Sequence, residues 1–109
     1  MRDVNKKKFT DKKPTLDQII QSLRKSLPEL KEHFGVASLG VFGSFVHGED
    51  RSRSDLDLLV DFDPMPTLIQ LSALQRHLTS LVGIHVDLVV RRTLKPVIGK
   101  RILSEVIYV

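Results

Sequence analysis

Residues 39–61, LGVFGSFVHGEDRSRSDLDLLVD, constrain the fold of this chain more than any other stretch. The apolar run Val36–Phe42 predicts a buried strand, which Gly43 and Ser44 then break. A polar loop follows over residues 47–54, and the segment DLDLLVDF from Asp55 onward predicts a second strand. This order of strand, tight turn, polar loop and acidic strand brings a glycine-serine turn and two carboxylates into one short stretch.

The two carboxylates of the second predicted strand have the spacing of a metal site. Side chains alternate along a strand, so Asp55 and Asp57 point to one face and the apolar residues between and after them point to the other. At a rise of roughly 3.3 Å per residue, the two carboxylates lie about 6–7 Å apart. Like charges at this distance repel each other, and a divalent cation between them offsets the repulsion. Oxygen ligands of this kind suit Mg²⁺ or Mn²⁺.

The turn before this strand has the properties of a phosphate site. Gly43 allows a sharp backbone turn and the close approach of a ligand, and Ser44 adds a hydroxyl donor. If a helix begins after this turn, its first N–H groups also favour an anion. A phosphate-binding turn followed by metal-binding carboxylates describes a site for a nucleoside triphosphate with its metal.

A third carboxylate stands in residues 84–90, IHVDLVV, whose alternating apolar residues predict a third strand. Asp87 is costly in such a strand if it is buried and unpaired, but not if it faces the same cation as Asp55 and Asp57. The residues alone leave both a structural and a functional Asp87 open. His85 shares its face, and without a second histidine at metal-ligand spacing we interpret it as a pocket-edge residue.

The motif Gly43-Ser44-Phe45-Val46-His47-Gly48, followed by Ser54-Asp55-Leu56-Asp57-Leu58, resembles the minimal nucleotidyltransferase family of the DNA polymerase beta-type superfamily. The resemblance covers nearly all of residues 16–109. It implies that two Mg²⁺ ions, with Mn²⁺ as an alternative, are held by Asp55, Asp57 and Asp87. It also implies that the phosphates of ATP are bound by Gly43, Ser44, His47 and Ser54. The chain departs from the family at His47, where the family usually has arginine, because histidine is not a permanent cation.

The resemblance also implies a reaction and a partner. Stand-alone members of this size resemble the antitoxin partners of HEPN-type ribonuclease toxins in prokaryotic operons. That likeness implies AMP transfer from ATP to a tyrosine of the toxin, with release of pyrophosphate. Two alternatives remain open: a transferase for a small-molecule hydroxyl, such as that of an antibiotic, and a non-catalytic module that neutralises a partner by occlusion. In the polar loop, Arg51 and Arg53 fit either a phosphate contact or a solvated surface.

The remaining segments predict an α/β fold, with helices packed on one face of a small mixed sheet of three to four strands. The other face of the sheet is expected to carry the carboxylates. Thr15 and Gln18 predict a capping box before a first helix, which Pro28 ends or kinks ahead of a short second one. Gly35 is expected to stop that second helix, and His33 near its end to lie on the surface.

Two further helices are predicted after the second strand. The first runs from a Thr67 cap to about Val82, with His77 on its surface and an inner stripe of Leu68, Leu71, Leu74, Leu78 and Leu81. The second covers residues 94–106, with Pro96 in its first turn and with inward-facing Val97, Ile102 and Val106. The apolar end, residues 107–109, is expected to dock on the sheet or on a partner.

The basic character of the chain belongs to residues 1–14. They hold six lysines or arginines against two aspartates, whereas residues 15–109 hold eleven residues of each charge. We predict that residues 1–14 are a disordered tail with at most weak affinity for nucleic acid, and that residues 15–109 form one domain. The chain has no cysteine and no long apolar run, which favours a cytoplasmic protein without a membrane partner.

Overall fold

A four-stranded mixed sheet forms the centre of the molecule. The computed structural model describes residues 14–47 and 55–109. Strands β1 and β2 cover Val36–Phe42 and Leu56–Phe62, and strands β3 and β4 cover Val86–Val90 and Ile107–Tyr108. Their spatial order is β3-β2-β1-β4, with β2 parallel to β3 and with β1 antiparallel to both β2 and β4. The predicted α/β fold with a small mixed sheet is confirmed.

Several predictions fall on residues outside the described ranges. They concern the basic tail, most of the polar loop with Arg51 and Arg53, and the predicted phosphate ligand Ser54. The proposed division into residues 1–14 and 15–109 also stays a prediction.

Helix α1, Leu16–Phe34, begins at the predicted capping box and ends at Gly35, the residue predicted to stop a short second helix. The Thr15 hydroxyl accepts a hydrogen bond from the Gln18 backbone N–H at 3.2 Å, and the Gln18 side chain accepts one from the Thr15 backbone N–H at 2.9 Å. This reciprocal pair satisfies two N–H groups that the first turn leaves without helical partners. The helix ends at Gly35, whose φ of 72° lies in the left-handed region that glycine adopts at little cost.

The prediction that Pro28 ends the first helix and begins a short second one is wrong, whereas the alternative of a kink at Pro28 stays a prediction. Pro28 lies inside the continuous helix α1. Proline removes one N–H donor, and the carbonyl that loses its partner belongs to Arg24. Both residues are exposed, so water can bind that carbonyl. Buried Leu23 and Leu30 on either side of the proline hold both halves of the helix in the core, which offsets the lost hydrogen bond.

Helix α3, Leu68–Val82, has a Thr67 capping box and ends at Gly83, as predicted. Of its predicted inner stripe, Leu74 and Leu78 are buried and Leu71 packs partly buried against the core, and Val82 is buried as well. Val82 takes the inward position at the last turn, so Leu81 turns towards solvent, and Leu68 in the first turn is 82% exposed. His77 is half-buried rather than on the surface, since its ring packs against Phe34 at a centroid distance of 5.1 Å.

The chain closes with helix α4, Pro96–Glu105, and strand β4. A 3-10 turn over Arg91–Thr93 precedes α4, so this helix begins two residues later than predicted, with Pro96 in its first turn. Val97 was predicted to pack inward, but it is 81% exposed. The predicted docking of the C-terminal residues on the sheet is confirmed, because β4 pairs with Gly40 and Val41 of β1.

The two faces of the sheet differ in chemistry. One face packs its apolar side chains, such as Leu58 and Val60 of β2, into a core shared with α1 and α3. Alternation along β2 puts Asp57 and Asp61 on the other face. The C-terminal segment covers part of that second face, since a Cβ added to Gly40 would lie 2.5 Å from a Val106 methyl group. None of the helices in the described ranges is long and apolar enough to cross a membrane.

Candidate active site

The parallel pairing of β2 and β3 brings Asp57 and Asp87 side by side. The two residues are partners in the strand register, so their side chains leave the same face of the sheet. Asp55 precedes Asp57 by two residues, and His85 precedes Asp87 by two. The structure therefore collects the three predicted carboxylates, and His85 with them, at one end of the face opposite α1 and α3.

Asp55, His85 and Asp87 form a group in which one ligand atom from each residue lies within 4.8 Å of the others. The Nδ1 atom of His85 is 3.4 Å from a carboxylate oxygen of Asp55 and 3.8 Å from one of Asp87. All three side chains are about half exposed. Two carboxylate oxygens and one imidazole nitrogen are a donor set for a divalent metal. Sequence reasoning left His85 at the pocket edge because it looked for a second histidine, whereas the neighbours of His85 are carboxylates.

The electrostatics of Asp57 also fit a bound cation. Its pKa is raised, first by burial and then by the negative charges of Asp87, Asp55 and Glu105. Each of these causes disfavours the ionised form, and a divalent ion among the carboxylates would act in the opposite direction. The residues present therefore fit the metal that the sequence predicts, and Asp57 is the carboxylate that gains most from it.

Gly43 joins the glycine-serine turn to the carboxylates. Its φ of 85° lies in the left-handed region, and a Cβ atom added to it would lie 2.2 Å from the Asp57 Oδ2 atom. The Asp57 carboxylate thus packs directly against the Gly43 backbone, which only a residue without a side chain permits. The two parts of the predicted site are in contact.

A short helix follows the turn, as expected for the predicted phosphate site. Helix α2 covers Ser44–His47, and the Gly43 carbonyl accepts hydrogen bonds from the backbone N–H groups of Val46 and His47 at 3.0 and 3.2 Å. These bonds fix the path of the chain that carries Ser44 past the carboxylates. The assignment of Gly43, Ser44 and His47 to phosphate stays a prediction.

Glu105, at the end of α4, is a member of this site that sequence reasoning missed. One of its carboxylate oxygens accepts a hydrogen bond from the Gly43 backbone N–H at 3.1 Å, and the other lies 2.8 Å from the Nε2 atom of His47. The hydrogen bond with His47 is the main cause that lowers the pKa of Glu105. The contacts span 62 and 58 residues of sequence, so no local pattern could have revealed them.

A second ionic cluster holds the end of β2 to the turn after β3. The Nε atom of Arg92 donates a hydrogen bond to an Asp61 oxygen at 3.0 Å, and a second nitrogen of the same guanidinium donates to the Phe62 carbonyl. Arg91 lies 4.0 Å from the other Asp61 oxygen. Asp61 shares the face of Asp57 but has two arginine neighbours, whereas no lysine or arginine among the described residues forms an ion pair with Asp55, Asp57 or Asp87.

Comparisons with known proteins agree with this arrangement. A family described as "Nucleotidyltransferase domain" matches residues 23–109. The chain is 46% identical over 95 residues to the protein adenylyltransferase MntA of Thermococcus cleftensis, an alignment that covers 87% of this chain and 96% of that protein. It is 40% identical over 96 residues to a candidate protein adenylyltransferase of Methanocaldococcus jannaschii, with 87% and 98% covered.

Solved structures share the fold. One described as a candidate minimal nucleotidyltransferase matches with a TM-score of 0.69 at 38% identity, over 81% of this chain and 90% of that one. Another, a toxin-antitoxin structure with AMP-PNP, matches with a TM-score of 0.62 at 25% identity, over 84% and 69%. The family match extends over most of the chain and includes the glycine-serine turn and all three carboxylates. The chain therefore belongs to the nucleotidyltransferase domain family and is a nucleotidyltransferase.

Proposed function

We propose that this protein transfers AMP from ATP to a tyrosine hydroxyl of a HEPN-type ribonuclease toxin and thereby acts as its antitoxin. The contact between Gly43 and the Asp57 carboxylate carries the proposal, because it joins the turn that we assign to the phosphates to the strand that we assign to the metal. The relatives support the choice of reaction, since one is named a protein adenylyltransferase and one solved neighbour is a toxin-antitoxin structure with AMP-PNP.

We assign the metal ligands to Asp55, Asp57 and Asp87, with His85 as a further donor to one ion. The expected metal is Mg²⁺, with Mn²⁺ as an alternative, because most of these ligands are carboxylate oxygens. If bound there, two such ions would stabilise negative charge on the attacking and leaving oxygens of a phosphoryl transfer. The raised pKa of Asp57 supports this assignment, since crowded carboxylates are the groups that a divalent ion stabilises.

In the proposed reaction, the acceptor oxygen forms a bond to the α-phosphorus of ATP, and the bond from that phosphorus to the β-phosphate bridging oxygen breaks. Pyrophosphate leaves, and the acceptor hydroxyl loses its proton. Gly43 and Ser44 hold the terminal phosphates, with His47 and Ser54 beside them, so that the α-phosphorus lies at the carboxylates. The Asp87 side chain is about half exposed, so an acceptor can reach it from solvent.

The direct test uses ATP labelled at the α-phosphate or at the γ-phosphate. The protein is incubated with MgCl₂ and a HEPN-type ribonuclease, and the label is followed on a gel and mapped by mass spectrometry. AMP transfer predicts that only the α-label reaches the toxin, on a tyrosine, and that a tyrosine-to-phenylalanine toxin stays unlabelled. Asp57→Asn serves as the catalytically impaired control.

The alternatives give different results in the same assay. A small-molecule transferase would leave the toxin unlabelled and label an added hydroxyl compound. A module that acts by occlusion would inhibit the ribonuclease without ATP and without any labelled product. The expected cytoplasmic location belongs to the same proposal, because both ATP and the ribonuclease substrate are found there.

A further inference from the structure

Glu105 connects the C-terminal helix to both donors of the proposed phosphate site. Its Oε2 atom accepts the Gly43 backbone N–H at 3.1 Å, and its Oε1 atom lies 2.8 Å from the His47 Nε2 atom. The glutamate side chain is 21% exposed and the histidine side chain 51%. One carboxylate thus fixes both the turn and the only ionisable side chain on helix α2.

The stability of α4 does not explain an acidic residue at this position. Glu105 is the last residue of the helix, where its negative charge meets the partial negative charge of the helix end. The hydrogen bond with His47 and the backbone N–H of Gly43 both lower its pKa, so these partners favour the ionised form. The end of α4 thus disfavours a negative charge on Glu105, whereas the Gly43 turn and His47 favour it. We therefore attribute the role of Glu105 to its contacts with the turn.

We propose that Glu105 is a positioning residue for the nucleotide, which holds the Gly43 turn and orients the His47 ring towards the phosphates. The inference rests on the proposed ATP site. With Nε2 held by Glu105, the His47 ring meets a phosphate oxygen through Nδ1, so the contact determines which ring atom faces the nucleotide. The Ser44 side chain makes no hydrogen bond to another described residue.

The same carboxylate also has an effect of opposite sign. Glu105 is one of the negative charges that raise the pKa of Asp57. Its charge would also repel a triphosphate bound at the Gly43 turn. Positioning predicts that ATP binds more weakly when Glu105 is replaced, whereas repulsion predicts that ATP binds more tightly. The direction of the change in affinity therefore separates the two effects.

The experiment measures binding of AMP-PNP in MgCl₂ by titration calorimetry, together with thermal unfolding of each variant. Glu105→Ala is expected to raise the Kd about tenfold, a loss of about 1.4 kcal/mol. Glu105→Gln is expected to lose less affinity for AMP-PNP, because its amide oxygen can still accept the hydrogen bond from the Gly43 N–H. Glu32→Gln, at an exposed position on α1, removes the same charge away from the site and should bind like the parent. If Glu105→Ala does not fold, the direction of the change in Kd for Glu105→Gln alone decides between positioning and repulsion.

A double-mutant cycle with His47→Ala distinguishes positioning from a general structural effect. If Glu105 acts largely through His47, most of the loss caused by Glu105→Ala disappears in the His47→Ala background. Equal or tighter binding by the Glu105 variants, or an undiminished loss without His47, would overturn the inference. A parent protein that does not bind AMP-PNP would instead overturn the proposed ATP site, and the inference with it.

Discussion

Replacing Gly43 with alanine should inactivate the enzyme far more than it destabilises the fold. The residue has a φ of 85°, and an alanine in that left-handed conformation costs roughly 1–2 kcal/mol. In a domain of this size such a loss lowers the Tm by about 4–16 °C, at about 4–8 °C per kcal/mol. The fold should therefore survive at 25 °C.

The effect on activity follows from the position of the new methyl group. It would lie 2.2 Å from the Asp57 Oδ2 atom, so the carboxylate must move back by about 1 Å to restore a van der Waals contact. A displacement of this size in a reacting assembly costs roughly 100-fold in rate. We expect Gly43→Ala to transfer AMP about 100-fold more slowly than the parent, as measured by initial rates with α-labelled ATP.

Gly83→Ala is the matched control. Gly83 also has a φ of 85°, but a Cβ atom there would meet no atom within 4 Å. Its alanine variant should lose a similar amount of stability and keep the parental rate. The reasoning is refuted if the initial rate of Gly43→Ala lies within about twofold of the rate of Gly83→Ala. A shifted carboxylate at a reacting centre should lower the rate far more than that.

Three further predictions concern Asp57, His85 and the N-terminal tail. The pKa of Asp57 is raised in the folded protein, so in metal-free buffer its ionisation destabilises the folded state. This destabilisation is complete above the raised pKa and disappears as the pH falls through it. Asp57→Asn should therefore unfold at a higher temperature than the parent at pH 7, with the difference shrinking in acid. His85→Ala should weaken Zn²⁺ binding at least about tenfold in calorimetric titrations and change Mg²⁺ binding far less, because imidazole is the better ligand for zinc. Deleting residues 1–13 should leave the Tm unchanged, since that segment has no apolar periodicity with which to join the core; a large drop in Tm would show that it is structural.

The sequence predicts the strands and the face of the carboxylates because both follow from local rules. A period of two along β2 is enough to put Asp55 and Asp57 on one side. Capping chemistry similarly predicts where α1 and α3 begin and where Gly35 and Gly83 end them. These features depend only on residues a few positions apart.

The remaining features depend on contacts between distant segments. The partnership of Asp57 with Asp87 requires the register between β2 and β3, which no local pattern fixes. Glu105 lies beside Gly43 because β4, which follows α4, pairs with β1. Pro28 stays helical for a related reason, because core burial on both sides outweighs its local preference.

The central claim is that the carboxylates against the glycine-serine turn perform nucleotidyl transfer, and Asp57 tests it most directly. The measurement is the initial rate of α-label transfer to the HEPN-type partner in MgCl₂, for the parent and for Asp57→Asn at equal folded concentration. The account predicts a loss of at least about 100-fold, since Asp57 is proposed to hold the metal ions that offset negative charge during the transfer. Transfer by Asp57→Asn at the parental rate would contradict it.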